Sequence, residues 1–334
     1  MRNLPQMLSQ KVGRIDPYLP KKALEGRADD INPCLRCYEC FGETGKSETV
    51  KCTVNPTQGQ QLFCKTDPEK APEEKKRVLV AGGGPAGMEA AITAAARGHE
   101  VTLVEKADRL GGNLYPAGAP YFKEDILKLC NVLIRRVEAS GVNVILNTEV
   151  TADYIREFDP DTLFVAIGSN ELVPPIKGMD LPNVIMAIDA ELHPDKLGER
   201  VAIIGGGLVG AEAAVSFAHE GKKCSIIEMK HEVAEEVNSF YRGGLMPHVK
   251  ESAALYTDTK VKEIRPEGVV CENAEGEFLV EADSVVCAVG FRAPYATVDE
   301  FCDLVDESYI VGDCNNVAQI YQAMNAAYWA ARSV

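Results

Sequence analysis

Two stretches of the chain alternate apolar and polar blocks in the same order. Residues 78–106 read VLVAGGGPAGMEAAITAAARGHEVTLVEK and residues 201–230 read VAIIGGGLVGAEAAVSFAHEGKKCSIIEMK. In each, an unbroken aliphatic run leads through closely spaced glycines into an Ala-rich segment, another glycine (Gly98 or Gly221) and a second aliphatic run. Continuous apolar runs bounded by glycine predict strands buried on both faces, as in a parallel sheet, and the Ala-rich stretches predict the crossover helices. A third matching pair comes later. Asp161–Gly168 (DTLFVAIG) and Asp283–Gly290 (DSVVCAVG) predict a further apolar strand in each half, ending on a glycine where the chain passes close to another group. The fold class is therefore α/β with two Rossmann-like domains.

The glycines give the repeat its chemistry. Each copy carries G-x-G-x-x-G between strand and helix, with first glycines 123 residues apart (Gly82 and Gly205). Gly82 and Gly205 allow the tight turn, Gly84 and Gly207 let the backbone approach a pyrophosphate, and Gly87 and Gly210 let helix and strand pack closely. The helix N-terminus then offers free N–H groups and a positive dipole end to phosphates. The second strand of each copy stops on a carboxylate 23 residues after the first glycine, Glu105 after Gly82 and Glu228 after Gly205, where a ribose hydroxyl partner belongs. Strand, glycines, helix, second strand and acid recur in register, so two dinucleotides are expected.

Residues 1–75 lack this periodicity and are rich in Pro, Gly and charge. They hold Cys34, Cys37 and Cys40 in C-x-x-C-x-x-C spacing, with Cys52 after eleven further residues. A tight arc of three thiolates with a distal fourth suits an iron–sulfur cluster; structural zinc is the competitor, though its sites more often pair two separated C-x-x-C knuckles. Cys64 is expected to be a spectator. Cys130, Cys224, Cys271, Cys287, Cys302 and Cys314 are scattered, several within apolar runs, and read as small core hydrophobes. Lys65–Arg77 is a charged, Pro-containing linker.

The expected order is an iron–sulfur segment over 1–75, an FAD-type domain over 76–194 and 283–334, and a nicotinamide-nucleotide domain inserted over 195–282. The first fold resumes at Ser308–Cys314, where a strand ends on Gly312-Asp313, followed by a helix through Gln319–Arg332. Asp313 can accept a hydrogen bond from a polyol or cap that helix.

Across 334 residues, 46% are hydrophobic, which is enough for two cores and an appendage. Thirty-five basic against fifty acidic residues give a net charge of -15, which disfavours nucleic acid and anionic membranes as partners. The first residues lack the apolar stretch of a secretion signal, so eleven cysteines argue for ligands or buried thiols rather than a disulfide scaffold, and a cytoplasmic location is expected. His193, His219 and His231 read as surface or loop residues. The composition leaves room for a homo-oligomer.

With these residues in view, the chain resembles the C-terminal portion of the NADH:flavin oxidoreductases related to old yellow enzyme, the family of 2,4-dienoyl-CoA, enoate and bile-acid reductases and trimethylamine dehydrogenase. The resemblance rests on Asp16-Pro17, Glu25-Gly26-Arg27, Asp30-Ile31-Asn32-Pro33-Cys34, Cys52-Thr53-Val54-Asn55-Pro56, both glycine motifs and Gly312-Asp313. It implies a 4Fe-4S cluster on Cys34, Cys37, Cys40 and Cys52. It also implies FAD against Gly82, Gly84, Pro85, Ala86, Gly87, Glu105, Lys106, Gly112, Asn113, Gly168, Gly312 and Asp313. NADH or NADPH would meet Gly205, Gly207, Leu208, Gly210, Glu212, Glu228 and Gly290, with Glu228 favouring NADH because a carboxylate repels a 2′-phosphate.

The chain departs from the family in two ways. The dienoyl-CoA reductases place one more residue between the second and third cysteines, so C-x-x-C-x-x-C is nearer trimethylamine dehydrogenase. The FMN-binding barrel that precedes this region in the family is represented only by a remnant of its final connection, about residues 11–30. FMN is then expected only on a barrel module in cis or in trans, which would receive the electrons. The resemblance implies an NAD(P)H-dependent flavoprotein oxidoreductase, with no acid–base catalytic residue assigned. Rival readings are an electron-input subunit like the small subunit of glutamate synthase, a disulfide reductase, and a non-catalytic redox-sensing nucleotide-binding module. The first would carry more ligand cysteines and the second a redox pair near Gly112 or within the inserted fold. The third would bind cofactors without turnover.

Overall fold

The computed structural model describes residues 15–42, 50–60 and 74–334. Cys64 and most of the expected linker lie outside these residues, as do the first positions of the expected barrel remnant. Among the described residues no helix is long and apolar enough to cross a membrane.

Both apolar repeats form the expected strand–turn–helix–strand units, and each seeds a five-stranded parallel sheet. The first sheet runs in the order Ser308–Ile310, Thr162–Val165, Arg77–Ala81, Glu100–Val104, Asn143–Ile145. The second runs Val184–Met186, Ser284–Cys287, Arg200–Ile204, Lys223–Ile227, Ala253–Tyr256. The central strands are apolar throughout because both faces are covered: Val78, Leu79, Val80 and Ala81 are fully buried, as are Ala202 and Ile203. Burying each Val, Leu or Ile side chain contributes about 1.5–3 kcal/mol, so a single polar replacement here would be costly. The two halves even share a clasp at the strand entrance. The Asp161 carboxylate accepts from Arg77 N at 2.6 Å and the Asp283 carboxylate from Arg200 N at 2.9 Å.

The described residues divide into two compact units, one comprising those up to 115 together with 125–170 and 293–334, and the other comprising 116–124 and 171–292. Besides a short excursion at 115/116 and 124/125, the units exchange at 170/171 and 292/293, where the sequence suggested 194/195 and 282/283. The reason lies in strand pairing. Val184–Met186 has no register with the first sheet and pairs instead with Ser284–Cys287, which itself lies beside Arg200–Ile204. The second unit adds an antiparallel three-stranded sheet, Lys260–Arg265, Gly268–Asn273 and Gly276–Glu281.

The second unit also holds Pro116–Glu124, a segment read from sequence as part of the first fold. Phe122 packs on the second core, the Tyr121 ring stacks on His219 at 3.9 Å, and Lys123 Nζ lies 2.6 Å from Glu212 Oε1.

The described part of the cysteine-bearing segment packs with the first unit. Val54 belongs to its core, with Ile15, Leu35 and Cys52 against it. Asp16, buried at 1% exposure, gathers Lys22 Nζ at 2.7 Å and the backbone N–H groups of Tyr18 and Asn32 at 3.0 Å. Five of the scattered cysteines, Cys130, Cys224, Cys271, Cys287 and Cys314, are buried as expected, and Cys302 is half-buried.

Candidate functional site

At the first glycine turn the helix Pro85–Arg97 begins with no side-chain cap on Gly84, so its N-terminal dipole end is open to a ligand. Gly82 has φ +108, and a Cβ there would strike the Ala166 carbonyl, so only glycine fits. A Cβ on Gly84 would meet nothing within 4 Å, which leaves a cradle that a pyrophosphate could fill. Glu105, 8% exposed, turns its carboxylate back beneath this turn. Its Oε2 accepts from Gly83 N at 2.6 Å and its Oε1 from Ala107 N at 2.8 Å.

Three other segments of the same unit reach this turn or its strand ends. Gly111 N donates to Gly83 O at 2.9 Å, and a Cβ on Gly112 would stand 3.2 Å from Gly84 Cα. A Cβ on Gly312 would stand 2.9 Å from Ala86 Cβ. Asp313 Oδ2 accepts from Ser169 Oγ, next to Gly168, and Oδ1 from Ala318 N, both at 3.3 Å; burial pushes its carboxyl up. Gly82, Gly84, Ala86, Gly87, Glu105, Gly112, Gly168, Gly312 and Asp313 thus gather along the carboxyl edge of the first sheet, where open α/β sheets bind their ligands. Pro85 opens the helix, and Lys106 and Asn113 are exposed nearby in sequence.

The second turn repeats the plan. Gly205 has φ +101 against the Ala288 carbonyl, and Glu228 takes Gly206 N on Oε2 at 2.6 Å and Lys230 N on Oε1 at 2.8 Å. Gly210 meets the Gly205 carbonyl, and Gly290, φ +107, follows the strand Ser284–Cys287.

One feature differs. Glu236 Oε1 accepts from Leu208 N at 3.1 Å, the first N–H of the helix Leu208–His219, and would lie 3.0 Å from a Cβ on Gly207. No local signal in the sequence singles Glu236 out from the acidic loop that carries it.

Glu212, one turn into that helix, is 9% exposed. Besides Lys123 it accepts from Tyr241 Oη at 2.5 Å, and Lys123 Nζ stands 5.1 Å from the Tyr241 ring centre. Glu191 is the fourth member of the group. Burial pushes its carboxyl up to about 8, the Glu212 charge adding to the rise and Lys123 opposing it. A sequence reading has no means of joining residues 123, 191, 212 and 241.

In the cysteine segment, Cys37 Sγ lies 3.1 Å from Thr53 Oγ1, and burial raises the Cys37 thiol. Arg36 and Tyr38, between the first three cysteines, both adopt left-handed backbone, φ 55° and 59°. Such residues turn successive N–H groups inward to form the anion-accepting concavities found at many iron–sulfur sites. Among the described residues no three His, Cys, Asp or Glu side chains converge as ligands of a single metal ion.

The sequence pattern of the pyridine nucleotide-disulphide oxidoreductases matches residues 40–157 and 76–330. The cinnamate reductase of Clostridium sporogenes is 35% identical over 330 residues, covering 96% of this chain and 48% of that protein. The NADH oxidase of Thermoanaerobacter brockii is 35% identical over 325 residues, covering 94% and 49% respectively. A solved structure of 2-naphthoyl-CoA reductase with 2-naphthoyl-CoA superimposes with a TM-score of 0.89 at 33% identity, over 97% of this chain and 49% of that one. The chain spans about half the length of the relatives it matches.

Proposed function

The chain belongs to the pyridine nucleotide-disulphide oxidoreductase family, and from that premise we propose that it is the electron-input portion of a flavin-dependent reductase system. NADH, or NADPH, binds the second fold and FAD the first. Cys34, Cys37, Cys40 and Cys52 hold a 4Fe-4S cluster. The acceptor is an FMN-containing ene-reductase barrel of the enoate or dienoyl-CoA reductase kind, in cis or in trans. The observation that carries the reading is the duplicated turn, in which each helix start follows a glycine with no side chain of its own and stands beside a buried carboxylate already bonded to the glycine backbone.

When bound, FAD accepts a hydride's two electrons and releases them singly, which a 4Fe-4S cluster can carry. The protein's own residues bind and orient. Backbone N–H groups at the helix starts after Gly84 and Gly207 would receive the phosphates, and Glu105 and Glu228 would receive ribose hydroxyls. Asp313 suits the polyol chain of a flavin, since its carboxylate lies at the end of the strand Ser308–Ile310 with Ser169 and Ala318 N as its hydrogen-bond donors. The thiols of Cys34, Cys37, Cys40 and Cys52 supply the soft donor set that iron–sulfur clusters require, and the left-handed Arg36 and Tyr38 suit the cluster's negative charge. The relatives' reductase and NADH oxidase activities support the same assignment.

The test is a visible spectrum with iron and acid-labile sulfide analysis, before and after anaerobic NADH. Flavin and cluster absorption, both bleached by NADH, is expected, with iron and sulfide lost in Cys52→Ser. Flavin bands without iron would remove the cluster, and cofactors untouched by either NADH or NADPH would remove the electron-input role.

A further inference from the structure

The two glycine turns are copies in sequence, each with a buried acid beneath it, yet among the described residues only the second has an acid bonded to the first residue of its helix. At the first, position 85 is proline, which has no N–H, and a Cβ on Gly84 would find open space. At the second, Leu208 offers an N–H, and Glu236 Oε1 takes it at 3.1 Å while lying 3.0 Å from where a Gly207 Cβ would be. We propose that Glu236 is a resident carboxylate in the phosphate seat of the second turn, displaced by each incoming nicotinamide dinucleotide, and that it thereby sets the affinity of that site. The proposal rests on the reading of the second fold as the NAD(P)H site.

The surrounding loop shows how displacement can occur without unfolding. Val233, Ala234 and Val237 are buried at 2%, 1% and 6% exposure, and Ala234 N donates to Gly206 O at 2.7 Å. The backbone carrying Glu236 is therefore pinned to the turn itself. The Glu236 side chain is exposed, so rotation about its own bonds carries the carboxylate into water. A pyrophosphate and a carboxylate repel one another and compete for the same N–H group and helix dipole, so nucleotide binding must first break the charge-assisted hydrogen bond that Glu236 makes. Its neighbours do not share the role. Glu235 lies 3.8 Å from Lys230 and Glu232 lies 2.7 Å from Arg242, both directed to side chains and not to the turn.

The experiment is calorimetric titration of NAD+ into the flavin-containing chain, which avoids turnover, comparing wild type with Glu236→Gln, Glu236→Ala and Glu235→Gln. Removing one solvent-exposed charge-assisted hydrogen bond is expected to tighten NAD+ binding about three- to tenfold in both Glu236 variants. Glu235→Gln, with the same change in net charge, is expected to stay within about twofold of wild type. Unchanged or weaker binding in the Glu236 variants, or an equal gain in Glu235→Gln, would overturn the proposal. Absence of saturable NAD+ binding in wild type and all variants would instead overturn the nicotinamide reading of the second fold, and the role of Glu236 with it. Because Glu236 is exposed, thermal unfolding without nucleotide should be little changed by its replacement, which separates a local effect from misfolding.

Discussion

Replacing Glu191 by glutamine should remove a loss of stability that the wild-type protein suffers as pH rises. The carboxyl of Glu191 ordinarily titrates at 4.5, and burial beside Glu212 pushes it up to about 8 in the folded chain, against the opposing pull of Lys123. Between these values the folded state holds a proton that the unfolded state has released, so stability falls with rising pH across about 4.5 to 8 and is flat outside that window. At about 1.4 kcal/mol per unit, the two values give a loss of about 2–3 kcal/mol between about pH 6 and about pH 8.5, an upper figure because the side chain is only partly shielded from water. Glu191→Gln keeps the shape and cannot ionise, so its stability should lack this slope. The assay is amide hydrogen exchange at the central strand Arg200–Ile204, whose protection reports opening of the second unit. If wild type and Glu191→Gln lose protection in parallel over this range, Glu191 is ionised in the fold and the account of its cluster is wrong. Lys123→Met provides a second arm: it strands the buried Glu212 charge and should cost about 3–5 kcal/mol.

At the nucleotide turns, Glu228→Arg should raise kcat/KM for NADPH relative to NADH by about tenfold or more, because a guanidinium welcomes the 2′-phosphate that a carboxylate repels; an unchanged ratio would refute the role of Glu228. Gly84→Ala and Gly87→Ala should fail differently. The Gly84 side meets no protein atom within 4 Å, so Gly84→Ala should fold normally and lose bound FAD, measured as flavin per chain, whereas Gly87→Ala meets the Gly82 carbonyl and should lower the free energy of unfolding, measured by denaturant titration, by about 3 kcal/mol or more. Full flavin content in Gly84→Ala would show that no phosphate approaches that backbone.

What the sequence revealed and what it hid follow from the range of the interactions. Both glycine turns, their strands and helices, and Glu105 and Glu228 under the turns are local patterns, written within about thirty residues and enforced by backbone geometry. The strand Val184–Met186 is three residues long, and its sheet is chosen by pairing with residues a hundred positions later, so its unit could not be read locally. Pro116–Glu124 likewise owes its unit to Lys123, Tyr121 and Phe122 finding partners at Glu212, His219 and the second core. Glu212 illustrates the limit from the other side. Its place after the glycine motif was plain, yet its carboxylate is held by Lys123 and Tyr241, so its effect on a nucleotide would pass through that buried group.

The differences between the two copies bear on what each can hold. A ligand at the first turn would meet Gly112 and Gly312 on segments that arrive from different parts of the chain, with Asp313 fixed by Ser169 and Ala318. Dissociation from such a site requires several contacts to be broken together, which suits a prosthetic group that stays through many turnovers. If the second turn holds the nicotinamide nucleotide, it must instead release its ligand in every cycle. A tightly complementary seat there would slow release without aiding the chemistry, since equal stabilisation of bound substrate and transition state does nothing for kcat. A displaceable carboxylate on Leu208 N would stabilise the empty seat and so weaken binding of the reduced and oxidised nucleotides alike, without altering the ribose contacts proposed for Glu228. Unequal copies of one turn are therefore what a chain needs if one dinucleotide is resident and the other is exchanged.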